Sequence, residues 1–407
     1  MTPSVLSGNA LLDRFHALDQ WLFQQQNFWQ EAPFTHQQLS WEAQHPELGQ
    51  WLRQQSLEHA EHYQGQPHAL LNAPAPFAEL AEQAQRLSSL GPHPQHPSHT
   101  IPARFAVDVP GRKWQQIEAF ARCLPPPAQT VHWLDWCSGK SHLGRHLLHR
   151  LGGKLTSLEW DAALVEQAQQ LSAKHQLTAT HRIQDVLAES CQQHVSAQHS
   201  PIALHACGDL HLQLLRLASR QGCPQLAVAP CCYNRIASHD YQPLSQTARG
   251  AQLALTRSDL RLTLRESVNA GQRDRRLRDQ SMARRLAFDQ LCRERLGQTD
   301  YQSTPAAANK WLHLPFHQWA NRVAEHMQRP LTLDSHDDEA EALGWQRLAQ
   351  IRNLELVGNL FRRPLELWLL LDRALFLHEQ GYHTRLGTFC PRELTPRNAL
   401  LLATKSD

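Results

Sequence analysis

The chain has 407 residues, of which 41% are hydrophobic and 19% charged, and its formal net charge is +2. That length is too great for one small core, and the composition excludes a disordered or fibrous chain. Nine cysteines at irregular spacing exclude an ordinary disulfide framework.

Charge is unevenly distributed. Residues 1–100 carry three Arg and no Lys against nine acids, a local net of −6. Residues 256–295 carry eleven Arg against six acids, a local net of +5. Such a segment suits an anionic partner, or it pairs with the acidic N-terminal part. No basic region followed by an apolar run opens the chain. The densest apolar stretch, LELWLLLDRALFL, is broken by Glu366, Asp372 and Arg373 and is too short to span a bilayer. The expectation is a reduced, cytoplasmic protein with no membrane association.

Residues 1–90 place apolar clusters at helical period, with Trp21, Trp29, Trp41 and Trp51 as packing residues. They read as a helical N-terminal region. The Pro- and His-rich stretch 91–103 breaks helix and strand alike and reads as a linker. From 104 to 407 the texture changes to short apolar runs alternating with helical ones. GRKWQQIEAFARCL is a helix closed by Pro125, and VHWLDW (131–136) is a strand followed by a helix over 141–151. KLTSLEW (154–160) is a second strand with a helix over 162–175, and TATHRIQD (178–185) a third strand. PIALHAC (201–207) is a fourth with a helix over 210–220, and QLAVAPCC (225–232) a fifth. A helical insertion follows at about 300–380, and 383–390 with 399–404 forms a late antiparallel hairpin.

Strands alternating with helices indicate a parallel sheet covered on both faces, an α/β Rossmann-like fold. Ligands of such folds sit beyond the carboxyl ends of the strands. The first strand ends in Asp135 and leads into Cys137, Ser138 and Gly139, with Gly144 inside the next helix. This loop lacks the G-x-G-x-x-G of dinucleotide sites, and its G-K-S lacks the earlier glycine of a phosphate loop. Glu159 ends the second strand and suits the two hydroxyls of a ribose. Asp185 ends the third and suits an exocyclic adenine amine. Three acids at successive strand ends point to an adenosine-type ligand. Asp135 would repel a pyrophosphate and suits a cationic ligand such as S-adenosyl-L-methionine, so methyl transfer is preferred to hydride transfer.

The runs D-W-C-S-G-K-S-H-L-G (135–144), H-A-C-G-D-L (205–210) and P-C-C-Y-N (230–234), with P-R-N at 396–398, resemble a methyltransferase domain of the seven-stranded class I fold. This is the domain of the methyltransferase-like proteins named for a ribosomal RNA adenine dimethylase domain and of the glutathione S-transferase C-terminal-domain-containing protein. The resemblance spans roughly 107–270 and 383–405. It implies S-adenosyl-L-methionine as cofactor, held by Asp135, Gly139 and Glu159 and by Asp185, and Cys137 and His205 in the adjoining loops are further candidate cofactor contacts. Cys137 stands where many such enzymes have glycine, and Ser141 stands at the third glycine position.

The adjacent Cys231 and Cys232 close the fifth strand. Alternation along a strand would send them to opposite faces, which argues against a metal site, although His205, Cys207 and one of the pair still offer a metal-ligand combination. They read instead as a rim admitting the methyl acceptor, with Tyr233 stacking on it and Asn234 bonding it. His205 or Asp209 would take a proton where the acceptor needs deprotonation, although Asp209 also suits a helix N-cap. RNA fits as acceptor, contacted by the arginine-rich segment 257–295. The rival function is a catalytically inactive binding protein that keeps the fold.

Overall fold

In the computed structural model, the described residues are 3–97, 101–265, 272–305 and 309–405. Parts of the expected linker, of the arginine-rich segment and of the insertion therefore lie outside the described residues, at 98–100, 266–271 and 306–308.

The chain forms two compact units, each discontinuous in sequence. The sheet unit comprises Met1–Gln24, Leu87–Leu264 and Arg363–Asp407. Its eight strands are β1 (Leu6–Ser7), β2 (His132–Trp136), β3 (Lys154–Glu159), β4 (Ala179–Ile183), β5 (His199–Leu204), β6 (Gln225–Ala229), β7 (Tyr382–Thr388) and β8 (Ala399–Lys405). They lie in the order β1-β7-β8-β6-β5-β2-β3-β4. Strands β2 to β6 are mutually parallel, whereas β8 runs antiparallel to both β6 and β7. This is the α/β Rossmann-like fold of class I methyltransferases, with one short strand more than the seven expected.

The chain runs outward from β2 through β3 to β4, then returns to place β5 and β6 on the other side of β2. The switch point thus lies between β2 and β5, where open α/β sheets open a crevice at the strand carboxyl ends. Helices Gly111–Arg122 and His142–Leu151 carry apolar stripes that meet the sheet in one core. Phe120, Leu143 and Leu147 pack there with Trp133, Leu155, Ile202 and Leu400.

The N-terminal segment does not form one helical region. Leu6 pairs with Leu386 as β1 joins the sheet edge, and helix Asn9–Gln24 buries Leu11, Phe15, Leu18 and Leu22. Asp19, buried in that helix, accepts hydrogen bonds from the amides of Gln252 and Leu253 and from Trp368 Nε1. These bonds place residues 3–24 in the sheet unit. The expected linker is partly sheet structure too, since His93 N donates to Thr388 O and Gly91 N to Ser4 O.

The helical unit combines Gln25–Arg86 with Arg265–Arg362. Asn353, wholly buried in helix Ala340–Asn359, accepts from His59 Nδ1 at 2.7 Å and donates to Gln55 O and Ser56 O. Gly344 lets that helix cross Gln272–Leu296 closely: a Cβ there would stand 2.2 Å from Ala283 O. The expected insertion thus joins with residues 25–86, whereas most of helix Arg362–Glu379 belongs to the sheet unit.

Candidate active site

The first loop at the switch point follows β2. Cys137, Gly139 and Ser141 all adopt positive φ, at 53°, 56° and 52°. Two of these are non-glycine residues in a strained region, so the surrounding bonds must hold the loop. Asp135 supplies part of that hold: its Oδ2 accepts from Ser141 Oγ at 2.8 Å and from Gly144 N at 3.1 Å. Burial pushes the Asp135 carboxyl up to about 7, opposed by those two bonds and by Lys113 and Arg145. Asp135 therefore anchors the loop from within. Gly144 is required by space, because a Cβ would lie 2.7 Å from Leu155 Cδ1 and 2.8 Å from Asp135 Oδ2. Cys137 beside it is held as a neutral thiol, pushed up chiefly by burial.

Glu159 supplies the rest. Its Oε2 accepts from Gly139 N at 2.8 Å, and its Oε1 from Trp160 N and Asp161 N at 3.0 and 3.2 Å. A carboxylate has about four acceptor positions, so three backbone amides leave room for one further donor. Asp185 lies two residues past β4, exposed, with Oδ1 accepting from Leu187 N. Glu159 and Ile183 are register partners on β3 and β4, so these acids share one end of the sheet.

Sequence reasoning missed three residues at that end. Trp160 is 75% exposed, Ile183 62% and Leu187 51%, among the few large apolar side chains so open to solvent. Trp160 directly follows Glu159, whose partner is Ile183, and Leu187 follows Asp185 by two positions. The signal was present as apolar residues beside the strand-end acids. Their exposure was not legible, since apolar residues in that position are ordinarily core.

The second loop follows β5. His205 has φ +69° and its Nε2 lies 2.6 Å from Gln116 Oε1. Gln116 Nε2 donates to Leu394 O, so the Gln116 oxygen accepts and His205 Nε2 must carry the proton. Burial lowers the His205 pKa, which leaves a neutral ring with Nδ1 as its basic atom. Gly208 is the N-cap of helix Asp209–Arg220, at φ +50°, and a Cβ on it would lie 1.8 Å from Arg235 O. Asp209 is thus not the N-cap. Its carboxylate accepts from Ala237 N at 2.7 Å, tying the helix to the loop after β6. Asp209 and Leu187 both border a cavity of about 340 Å³ with Leu212, Ile236 and Tyr241.

The third loop, Pro230–Asn234, departs from expectation. Strand β6 ends at Ala229, so the alternation that would separate Cys231 from Cys232 stops before reaching them. The sulfurs of Cys207, Cys231 and Cys232 lie within 4.8 Å of one another, with Cys207 Sγ and Cys231 Sγ 3.3 Å apart. Shared hydrogen bonding with the other two thiols lowers the Cys232 pKa and raises that of Cys231. Tyr233 is fully buried, with the Arg373 guanidinium 5.1 Å from its ring centre and the His211 ring beyond. It has no face free to stack on an acceptor, contrary to expectation. Half-buried Asn234 has its Oδ1 shielded from solvent and without a hydrogen-bond partner.

The arginine-rich helix Gln272–Leu296 divides in two. Arg284 is buried and bonds Glu341 Oε1 at 2.8 Å and Leu314 O, Arg293 bonds Asp289, and Arg295 bonds Asp337. These serve packing within the helical unit. Arg273, Arg275, Arg276 and Arg278 in its first two turns are exposed. A cavity of about 390 Å³ in the same unit is lined by Arg278, Arg352, Asp279 and Glu355, whose charges pair with one another.

Residues 112–239 match the family model of a methyltransferase domain. The match covers a little under a third of the chain and contains all three loops. Outside that methyltransferase domain, the sequence carries β7, β8 and the helical unit. Among solved structures, the bifunctional kinase–methyltransferase WbdD is similar at 13% identity and TM-score 0.22, over 32% of this chain and 29% of that one. The chain thus spans under a third of WbdD. Coclaurine N-methyltransferase, solved with N-methylheliamine and SAH, is similar at 12% identity and TM-score 0.26, over 78% and 95% of the two chains. At such scores neither likeness adds to the reading of the site. Among the described residues no helix is long and apolar enough to cross a membrane, and the nine cysteines are free thiols.

Proposed function

We propose that the sheet unit transfers a methyl group from S-adenosyl-L-methionine to a nitrogen acceptor. The observation that carries this reading is the end of β3 and β4, where exposed Trp160, Ile183 and Leu187 accompany Glu159 and Asp185. Exposed apolar side chains beside carboxylates that keep spare acceptor positions fit a flat heteroaromatic ring with polar edges. Glu159 would take a ribose hydroxyl, Asp185 the exocyclic amine, and the three apolar residues the adenine faces. The bound cofactor supplies an electrophilic methyl on a sulfonium. Asp135 and Glu159 hold the glycine loop against it, and of the first-turn amides of helix His142–Leu151, where Gly144 N is taken by Asp135, those of His142 and Leu143 would serve its polar tail.

Methyl transfer is an in-line displacement that depends chiefly on positioning. His205 Nδ1 would remove the acceptor proton, and Asn234 Oδ1 would accept a hydrogen bond from the acceptor amine. RNA is the acceptor class we favour, because the exposed arginines of 273–278 can contact phosphates. A reduced cytoplasmic setting belongs to the same reading.

One observation favours a second reading, a binding protein that keeps the fold without catalysis: both Glu159 oxygens already accept backbone amides. Titration calorimetry with S-adenosyl-L-methionine separates the two. Saturable binding by wild type, lost in Glu159→Ala and Asp135→Ala, is expected. A folded wild-type protein that binds no cofactor would refute methyl transfer and leave the second reading.

A further inference from the structure

The loops after β5 and β6 bring together three thiols that the methyl-transfer reading does not need. Cys207 follows β5 by three residues, and Cys231 and Cys232 follow β6 by two and three. Strands β5 and β6 are parallel neighbours, with Leu204 opposite Ala229, so both loops leave the sheet at the same end. Two features fix the sulfurs there. Gly208, at positive φ and pressed against Arg235 O, draws the β5 loop onto the β6 loop, and Asp209 bonds Ala237 across the same gap. The thiols have little else to bond: Cys207 Sγ reaches His205 O only at 3.5 Å, and Cys231 Sγ reaches Ala206 O at 3.9 Å.

We propose that Cys207, Cys231 and Cys232 form a trithiolate site for a thiophilic divalent cation of the zinc class. In tetrahedral coordination with Zn–S of about 2.3 Å, ligand sulfurs stand about 3.8 Å apart. The three sulfurs here lie within 4.8 Å of one another and the closest pair is 3.3 Å apart, so shifts well under an ångström complete the set. Binding replaces three S–H bonds with three metal–sulfur bonds and releases the thiol protons to solvent, with no change of oxidation state. The resulting complex carries one net negative charge, and the cations Arg235 and Arg397 both act on Cys232. Three protein ligands leave a fourth position for water or for a soft donor atom of a bound molecule. Cys232 and Cys207 are partly exposed, which gives the cation an entry path. The site does not depend on cofactor binding at β2–β4, so either reading can fail without the other.

The test uses the full chain, reduced and stripped with a chelator. It is titrated with Zn²⁺ against a chromophoric competitor and with Co²⁺ by absorption. One equivalent of tight binding, with thiolate-to-cobalt charge transfer and the intense visible bands of a tetrahedral site, is expected. Cys207→Ser and Cys232→Ser should each weaken it by more than about 100-fold, whereas Cys292→Ala, in the helical unit, should not change it. Alkylation mapping of the wild type gives a second measurement that needs no variant. Zn²⁺ should protect Cys207, Cys231 and Cys232 and leave the other cysteines unaffected. The proposal is overturned if wild type binds no Zn²⁺, if the folded serine variants bind as wild type does, or if protection falls on other cysteines. A Cys207–Cys231 disulfide with no metal binding by the reduced protein would equally overturn it.

Discussion

Replacing Asp135 with Asn tests the claim that a protonatable carboxyl, buried under the glycine loop, shapes the stability of the sheet unit. Asp135 is 3% exposed, and burial raises its pKa from 3.8 to about 7. A shift of about 3 units corresponds to about 4 kcal/mol. The sign follows from linkage: between those values the unfolded chain ionises while the folded chain keeps its proton. The contribution of Asp135 is therefore fully present below about pH 4 and is lost as pH rises through about 7. Asn keeps an oxygen for Ser141 Oγ and Gly144 N but has nothing to ionise. The stability of Asp135→Asn relative to wild type should thus grow by up to about 4 kcal/mol from pH 4 to pH 8, at no more than about 1.4 kcal/mol per pH unit. Urea unfolding at a series of pH values measures this difference. Taking the difference removes the opposite trend of His142 and His146, whose pKa values burial lowers to about 3 and about 4. Parallel curves for the two proteins across that range would refute the buried, raised carboxyl.

Gly144→Ala should cost about 1–3 kcal/mol by overpacking against Leu155 and Asp135, seen as a lower urea midpoint together with weakened cofactor binding. Trp160→Ala should leave stability within about 0.5 kcal/mol while weakening S-adenosyl-L-methionine binding by about 1–3 kcal/mol; unchanged affinity in calorimetry would remove Trp160 from the site. Asp372 is wholly buried and accepts from Tyr241 OH, Leu244 N, Ser245 N and Ser245 Oγ. Asp372→Ala should lower stability by about 3–5 kcal/mol, read by scanning calorimetry. In the helical unit, Arg273→Ala with Arg276→Ala should reduce the salt dependence of RNA binding by about 1.4 in slope, measured by filter binding, whereas Arg284→Ala should chiefly lower the melting temperature.

The parallel strands β2 to β6 and the final hairpin were legible because apolar runs bounded by Pro, Gly and acids leave few other assignments. Strand starts and ends differ from expectation by at most three residues, and at β6 that small error had chemical weight. Ending the strand at Ala229 rather than Cys232 turns two cysteines from opposite faces toward a common third thiol. The burial of Tyr233 was hidden for a different cause: its partners Arg373 and His211 lie far off in sequence, and no local pattern announces them. The discontinuous units were hidden in the same way. Helical period in residues 9–24 reveals an apolar stripe but not that Trp368 and Gln252 lie against it.

The position of β8 governs how the protein can be made. Strand β6, apolar and central, takes its neighbour on one side from residues 399–405, which follow it in the chain only after the helical unit's second segment and β7. A nascent chain therefore carries an open row of amides and carbonyls beside LAVA (226–229) while the residues between the two strands are made. Such an edge templates pairing with another chain. Loss of the pairing made by residues 399–405 would leave both loops and the glycine turn in place, yet would return that edge to solvent and favour aggregation over activity.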